Sequence, residues 1–374
     1  MNPYFTALAQ GLEPYVPGEQ PKDKKYIKLN TNENPYPASE KVKNEIRSAM
    51  DDLRLYPDPE AMDLRRTIAA YYNEKILNIK TGKALNIVDG ERPKTLTEKN
   101  VFVGNGSDEV LAFAFPAFFT GKKIAYPDIT YSFYPVYANL FQAEITEIPL
   151  KEDFSIEITD YLALDKNYSG ILIPNPNAPT GRCLPLSEIE KMLRANPDKV
   201  ILMDEAYIDF GGETAVSLVG RYENLLVVQT FSKSRSLAGL RVGFAIGSEA
   251  LIEGLNRIKN SFNSYTIDRL AMAGAKAAIE DDTYFEENKN KIIRTRERVA
   301  ENLKEMKFSV IPSRANFLFI THKEIKAEEI FLKLREKGVL VRYFNKPLIN
   351  NYLRVSIGTD EEMDVFLNVL SQIL

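Results

Sequence analysis

Two stretches decide the fold: Val200-Ile-Leu-Met-Asp-Glu-Ala-Tyr207 and Leu225-Leu-Val-Val-Gln-Thr-Phe-Ser-Lys233. Each opens with an unbroken apolar run of strand length and closes on polar residues. Apolar runs without every-other-residue polarity belong to strands covered on both faces, as in parallel sheets flanked by helices. Working outward, similar runs recur at Val101–Val103, Lys123–Tyr126, Ile145–Pro149, Gly170–Ile173 and Val242–Ile246. Helical stretches such as Asp108–Phe119 and Leu186–Ala195 lie between several of them. This alternation predicts an α/β fold with a mostly parallel central sheet between helices.

The pattern changes after Ser261. A small-residue helix (Asp268–Ile279) precedes a long charged one (Tyr284–Met306). Three strand-like runs follow, Asn316–Ile320, Gly338–Phe344 and Tyr352–Ile357, with a helix near Ala327–Lys337. The expected organisation is an N-terminal arm (residues 1–37, rich in Pro, Tyr and Asn), a large domain (38–262), and a connecting helix with a smaller α+β domain (263–374). A chain of 374 residues suits two unequal domains around a shared cleft. The stretch from Lys80 to Lys99, with Gly82, Gly90 and Pro93, reads as a polar surface excursion.

Composition narrows the chemistry. A formal net charge of -4 points to neither a nucleic-acid partner nor a basic membrane surface. No segment is long and apolar enough for a membrane span, and Met1 to Gln10 does not read as a signal peptide. With Cys183 as the one cysteine, the expectation is a reducing, cytoplasmic setting. The one histidine, His322, stands in the polar stretch Thr321-His-Lys-Glu324 and reads as a surface residue. No Cys/His cluster offers a metal site, so chemistry must come from Lys, Asp, Tyr, Arg or a cofactor.

Four strand ends carry candidates. Val101-Phe-Val-Gly-Asn-Gly-Ser-Asp-Glu109 runs from a strand through a glycine turn into a helix, a phosphate-sized anion site or a plain helix start at Asp108. Ile173-Pro-Asn-Pro-Asn-Ala-Pro-Thr-Gly181 holds three prolines that force an extended path and fix Asn177, unless it is only a structural turn. Asp204 ends an apolar strand, where a carboxylate needs a cap, an ion pair or a cationic ligand. Thr230-Phe-Ser-Lys-Ser-Arg-Ser-Leu-Ala-Gly-Leu-Arg-Val-Gly243 reads alone as a solvated run, yet Lys233 starts from a rigid strand and can attack a carbonyl. Ser232, Ser234 and Arg241 suit a phosphate. Strand ends of one sheet converge on one crevice. A single ligand meets all four: an aldehyde on a pyridinium ring that carries a phosphate.

The combination Ser232-Lys233 with Ala238-Gly-Leu-Arg241, Asn177-Ala-Pro-Thr-Gly181 and Asp204-Glu-Ala-Tyr207 resembles fold-type I pyridoxal-5′-phosphate (PLP) aminotransferases. More narrowly, the chain is similar to histidinol-phosphate aminotransferases. Pro14-Tyr-Val-Pro-Gly18, Asn32-Glu-Asn-Pro-Tyr36, Tyr56-Pro-Asp-Pro59, Asn105-Gly-Ser-Asp-Glu109, Ala315-Asn-Phe317 and Leu353-Arg-Val-Ser-Ile-Gly358 carry that likeness over nearly the whole chain. It implies that Lys233 binds the cofactor covalently and later moves the substrate's proton. It also implies that Asp204 pairs with the ring nitrogen, Tyr207 and Asn177 bond the phenolic oxygen, and Tyr131 stacks on the ring. Ser107, Asp108, Ser232 and Arg241 would bind the phosphate around a turn shaped by Gly106. Arg354, Arg342 and Asn34 would take the substrate's anionic end. Tyr56 would reach the phosphate of a neighbouring subunit, giving a homodimer with shared sites. The implied reaction exchanges the amino group of histidinol phosphate with 2-oxoglutarate, giving imidazole acetol phosphate and glutamate in histidine biosynthesis. An aromatic or broad-specificity aminotransferase and a threonine-phosphate decarboxylase share the same cofactor residues. Two departures stand out: the stretch from Ile79 to Lys99 is longer than the family's, and Cys183 after the Pro-Thr-Gly turn reads as structural.

Overall fold

The computed structural model describes residues 3–77 and 94–374. The excursion expected over Lys80–Lys99 thus lies mostly outside the described residues. Its tail, Glu98–Asn100, is a short 3-10 turn capped by Thr97. The strands, in chain order, are β1 (Ile27–Leu29), β2 (Val101–Asn105), β3 (Lys123–Pro127), β4 (Glu144–Ile148), β5 (Tyr168–Pro174) and β6 (Val200–Asp204). They continue with β7 (Leu225–Thr230), β8 (Val242–Gly247), β9 (Phe308–Ile311), β10 (Phe317–His322), β11 (Val339–Tyr343) and β12 (Leu353–Ser356).

Among the described residues they form two sheets. The larger has the order β2-β8-β7-β6-β5-β3-β4, the smaller β1-β11-β12-β10-β9. In the larger sheet only β8 runs antiparallel to its neighbours β2 and β7. The apolar runs explain themselves here. Successive residues of one strand enter opposite cores: Ile171, Ile173, Ile201, Met203, Leu225 and Val227 pack on one face. Leu172, Leu202, Leu226 and Val228 pack on the other. Each such side chain contributes roughly 1.5–3 kcal/mol by leaving water, so every position along these strands must be apolar.

Two findings depart from expectation. The N-terminal arm, set apart from the two domains by its composition, supplies a strand: Ile27–Leu29 pairs in parallel with Val339–Val341 of β11 and becomes an edge of the smaller sheet. His322 is buried, not on the surface. It is the last residue of β10, opposite Phe308, and its Nδ1 accepts the backbone N–H groups of Glu324 and Ile325. Its polar neighbours hid that it still belongs to the strand.

The sheet topology places the chemistry. β2, β5, β6 and β7 all end at one edge, and the reversed β8 begins there. Arg241, just before β8, therefore sits level with the residues after β7 and β2: Thr230 and Gly104 both face Gly243 in register.

Candidate active site

At this edge a cavity of about 420 Å³ opens between the two sheets. Its anion-binding end is built from the turn after β2. Gly106 has φ +79°, and a Cβ there would stand 2.5 Å from Arg241 Nη2, so only glycine fits. Gly106 also begins the helix Gly106–Ala114, whose first N–H groups have no partner within the helix. Gly243 lets that helix start lie against β8, since a Cβ on it would fall 2.2 Å from Ser107 N. Arg241 donates to Ser232 Oγ at 3.4 Å and to Asp108 Oδ2 at 3.1 Å. Asp108 also accepts from Tyr131 Oη at 2.7 Å. Its carboxylate thus holds Arg241 and Tyr131, leaving the helix N–H groups to an anion.

At the other end of the cavity, Asp204 closes β6. Tyr134 Oη donates to its Oδ2 at 2.9 Å and Ala206 N to its Oδ1 at 3.2 Å. Burial pushes the Asp204 carboxyl up to about 6, against the pull of the Tyr134 bond. Next in sequence but on the opposite face, buried Glu205 accepts from Thr214, Ala215 N and Gln229, and burial pushes it up to about 7.

Lys233 extends from the loop after β7, its Nζ donating to Thr31 O at 3.3 Å and standing 5.8 Å from the Tyr207 ring centre. The loop is clamped from both sides. Asn34 Nδ2 donates to the carbonyls of Lys233 and Ser234, and Ser234 Oγ donates to Asp209.

Arg342 and Arg354 stand opposite one another on β11 and β12 and both line the cavity. Among the described residues neither has a carboxylate partner. Arg354 Nη2 donates to Asn30 O at 3.0 Å, and its Nε is buried without a partner. Burial holds the Arg354 guanidinium below its ordinary range, and Arg342 adds to this. Two facing cations with spare donors call for an anion.

The chain matches, over residues 24–370, the model of the family described as aminotransferase class I and II. The chain belongs to this family. It is 54% identical over 377 residues to a histidinol-phosphate aminotransferase of Brachyspira hyodysenteriae, spanning 100% of this chain and 99% of that one. A histidinol-phosphate aminotransferase of Clostridium acetobutylicum is 54% identical over 374 residues, with the same coverage. Among solved structures, the histidinol-phosphate aminotransferase of Sinorhizobium meliloti in complex with pyridoxal-5′-phosphate shares the fold. Its TM-score is 0.85 at 23% identity, over 99% of this chain and 97% of that one.

The aminotransferase uses pyridoxal 5′-phosphate, as its family does, and the cavity suits that group. A glycine cradle beside Arg241 and a helix start meets a phosphate. A buried carboxylate raised by desolvation is ready for a cationic ring nitrogen, and the Lys233 amine lines the same cavity. Of the sequence candidates, Ser107, Asp108, Tyr131, Asp204, Tyr207, Ser232, Lys233, Arg241, Arg342 and Arg354 line the cavity. Gly106 lies behind Arg241. Asn177 is buried between the lining residues Pro176 and Ala178, donating to Ile129 O at 2.9 Å with its Oδ1 unpartnered. Asn34 faces the Lys233 backbone instead of the cavity. Tyr56 lies outside it, 79% exposed and stacked on Tyr265 at 4.8 Å. Free Cys183 has its thiol pushed up to about 11 by burial, away from the reactive thiolate form.

Sequence reasoning missed Tyr134, Thr31, Lys346 and any role for Asn32. Tyr134 follows Tyr131 by one helical turn, a signal that only the position of Asp204 makes meaningful.

Proposed function

We propose that this aminotransferase transfers the amino group of histidinol phosphate to 2-oxoglutarate, giving imidazole acetol phosphate and glutamate. The observation that carries the reading is the 54% identity, end to end, with enzymes so named. Arg342 and Arg354, without a carboxylate partner among the described residues, and Lys346, also lining the cavity, support an anionic substrate end apart from the cofactor cup. Histidinol phosphate offers a phosphate there and glutamate a carboxylate.

Pyridoxal phosphate, when bound, supplies an aldehyde that exchanges amines and a ring that accepts the electron pair left at the substrate's Cα. The chain's residues do the rest. Lys233 Nζ holds the cofactor and then acts as base towards the Cα proton. Asp204, kept in place by Tyr134, supplies negative charge for the ring nitrogen. Ser107, Ser232, Arg241 and the helix start at Gly106 bind the cofactor phosphate, with Asp108 orienting Arg241. Tyr131 would cover the ring, Tyr207 and Asn177 would bind its phenolic oxygen, and Asn34 fixes the Lys233 loop. Arg354 and Arg342 grip the substrate anion.

The larger sheet with its helices forms the cofactor domain and the smaller sheet the substrate-clamping one. The working unit is a homodimer in which Tyr56 enters the partner's cup. Exposed Met50, Leu53, Leu55, Tyr56, Phe262 and Tyr265 support such an interface. No described helix is long and apolar enough to cross a membrane. A cytoplasmic setting accords with a single free cysteine.

The test is a comparison of amino donors. Histidinol phosphate should react at least tenfold more efficiently than phenylalanine, tyrosine or threonine phosphate, with an oxo product retaining every carbon. Equal use of the aromatic amino acids, or loss of carbon dioxide from threonine phosphate, would replace the reading.

A further inference from the structure

Three residues given roles above reach the same short segment after β1. Arg354 donates to Asn30 O, Lys233 to Thr31 O, and Tyr207 Oη receives Asn32 Nδ2 at 3.0 Å. Asn32 is 1% exposed and adopts φ +57°, a left-handed conformation that asparagine tolerates better than most residues. It is held by the smaller sheet. Ser356 Oγ accepts from Asn32 N and donates to Asn32 Oδ1, both at 2.8 Å, and Asn316 Nδ2 donates to Asn32 O at 3.0 Å.

This network decides which way the Asn32 amide points. If the amide were flipped, its NH₂ would face Ser356 Oγ, which already accepts Asn32 N. The buried serine proton would then have no acceptor among the described residues, a cost of about 1–3 kcal/mol. In the observed orientation the serine proton and Asn32 Oδ1 are paired with each other, and Nδ2 is the group that meets Tyr207. An amide nitrogen only donates, so the tyrosine oxygen accepts. Its own proton must therefore point elsewhere, and the cavity lies on its open side. Lys233 and Arg354, the charged groups near this tyrosine, are donors and do not take that proton; Tyr131, also near it, gives its own proton to Asp108.

We infer that Asn32 is a positioning residue that fixes Tyr207 as a hydrogen-bond donor into the cavity, through an amide oriented by Ser356 of the smaller sheet. The inference rests on the proposed role of Tyr207 at the cofactor's phenolic oxygen. It makes the smaller sheet part of the cofactor's electrostatics as well as of the substrate clamp.

The test reads the pH midpoint at which the bound pyridoxal phosphate changes absorbance, in holoenzymes carrying Tyr207→Phe, Asn32→Asp, Asn32→Gly, or an Asn32 change together with Tyr207→Phe. A donor at the phenolic oxygen favours the deprotonated chromophore, so its loss raises the midpoint. Tyr207→Phe should raise it by about one unit. Asn32→Asp, nearly isosteric, should also raise it, because the new carboxylate captures the tyrosine proton. That rise should fall by at least half with phenylalanine at 207, where only the added charge acts. Asn32→Gly keeps the backbone and frees the hydroxyl to rotate, giving a smaller rise that vanishes in the phenylalanine background. If Asn32→Asp shifts the midpoint equally with and without the tyrosine hydroxyl, or Asn32→Gly does not shift it, the inference is overturned and the role of Tyr207 stands. If Tyr207→Phe itself leaves the midpoint unmoved, both fall.

Discussion

Tyr134 donates its hydroxyl proton to Asp204 Oδ2 at 2.9 Å, beneath the cavity that holds the Lys233 amine. In the cofactor-free chain this bond, with the one from Ala206 N, keeps a desolvated carboxyl from rising further than about 6. The carboxylate is costly until a cation meets it, the part proposed for the ring nitrogen.

The pH dependence follows from that shift. Unfolded, Asp204 loses its proton near the ordinary value of 3.8; folded and cofactor-free, near 6. Between these values the folded chain holds the extra proton, so stability falls as pH rises and levels off above about 6. Asp204→Asn removes this loss. Its stability relative to wild type, both without cofactor, should therefore improve between about pH 4.5 and pH 7.5, by about 2 kcal/mol at 1.36 kcal/mol per unit. Thermal melts at the two values check this, with Glu205 common to both proteins. An identical difference at both pH values would refute the raised carboxyl. Tyr134→Phe should carry the decline to higher pH and weaken cofactor retention.

Gly106→Ala should cripple cofactor binding without unfolding the chain. The new Cβ would collide with Arg241 Nη2, and the backbone there is left-handed. Loss of one charged phosphate contact costs on the order of 1.5–3 kcal/mol, so the apparent Kd for pyridoxal phosphate should rise roughly 10- to 100-fold. Titration of the cofactor-free variant, with its melting temperature as control, measures this.

Tyr56 tests the shared site. Mixed and reassembled, a Tyr56→Phe chain and a Lys233→Ala chain should complement one another. One site of the heterodimer then carries both lesions and the other neither. Tyr56→Phe alone should cost on the order of 1–3 kcal/mol, which must be measured first. A mixture that only averages its parents, with subunit exchange demonstrated, places Tyr56 outside the partner's site.

The larger sheet was legible because its strands are buried on both faces and leave uninterrupted apolar runs, as at Leu225–Val228. β1 was not. Ile27-Lys-Leu29 is short, carries a lysine and gains its meaning only by pairing with β11. β9, Phe308-Ser-Val-Ile311, is an edge strand with an exposed serine and left no run to read between the helix expected to end at Met306 and the strand-like run starting at Asn316. Lys233, Asp204 and Arg241 announced themselves as polar residues at strand ends. Tyr134 and Asn32 did not, for their partners lie 70 and 175 residues away and local sequence records no such distance.

Lys233, in the loop after β7 that lines the cavity with Asp204, is proposed as the reacting amine. Borohydride reduction of the holoenzyme, digestion and peptide mass mapping tests it most directly. One phosphopyridoxyl group per chain is expected, on the peptide containing Lys233, and none after Lys233→Ala although the variant still binds cofactor noncovalently. The label on another lysine of the wild-type protein, or turnover of Lys233→Ala within tenfold of wild type, would contradict it.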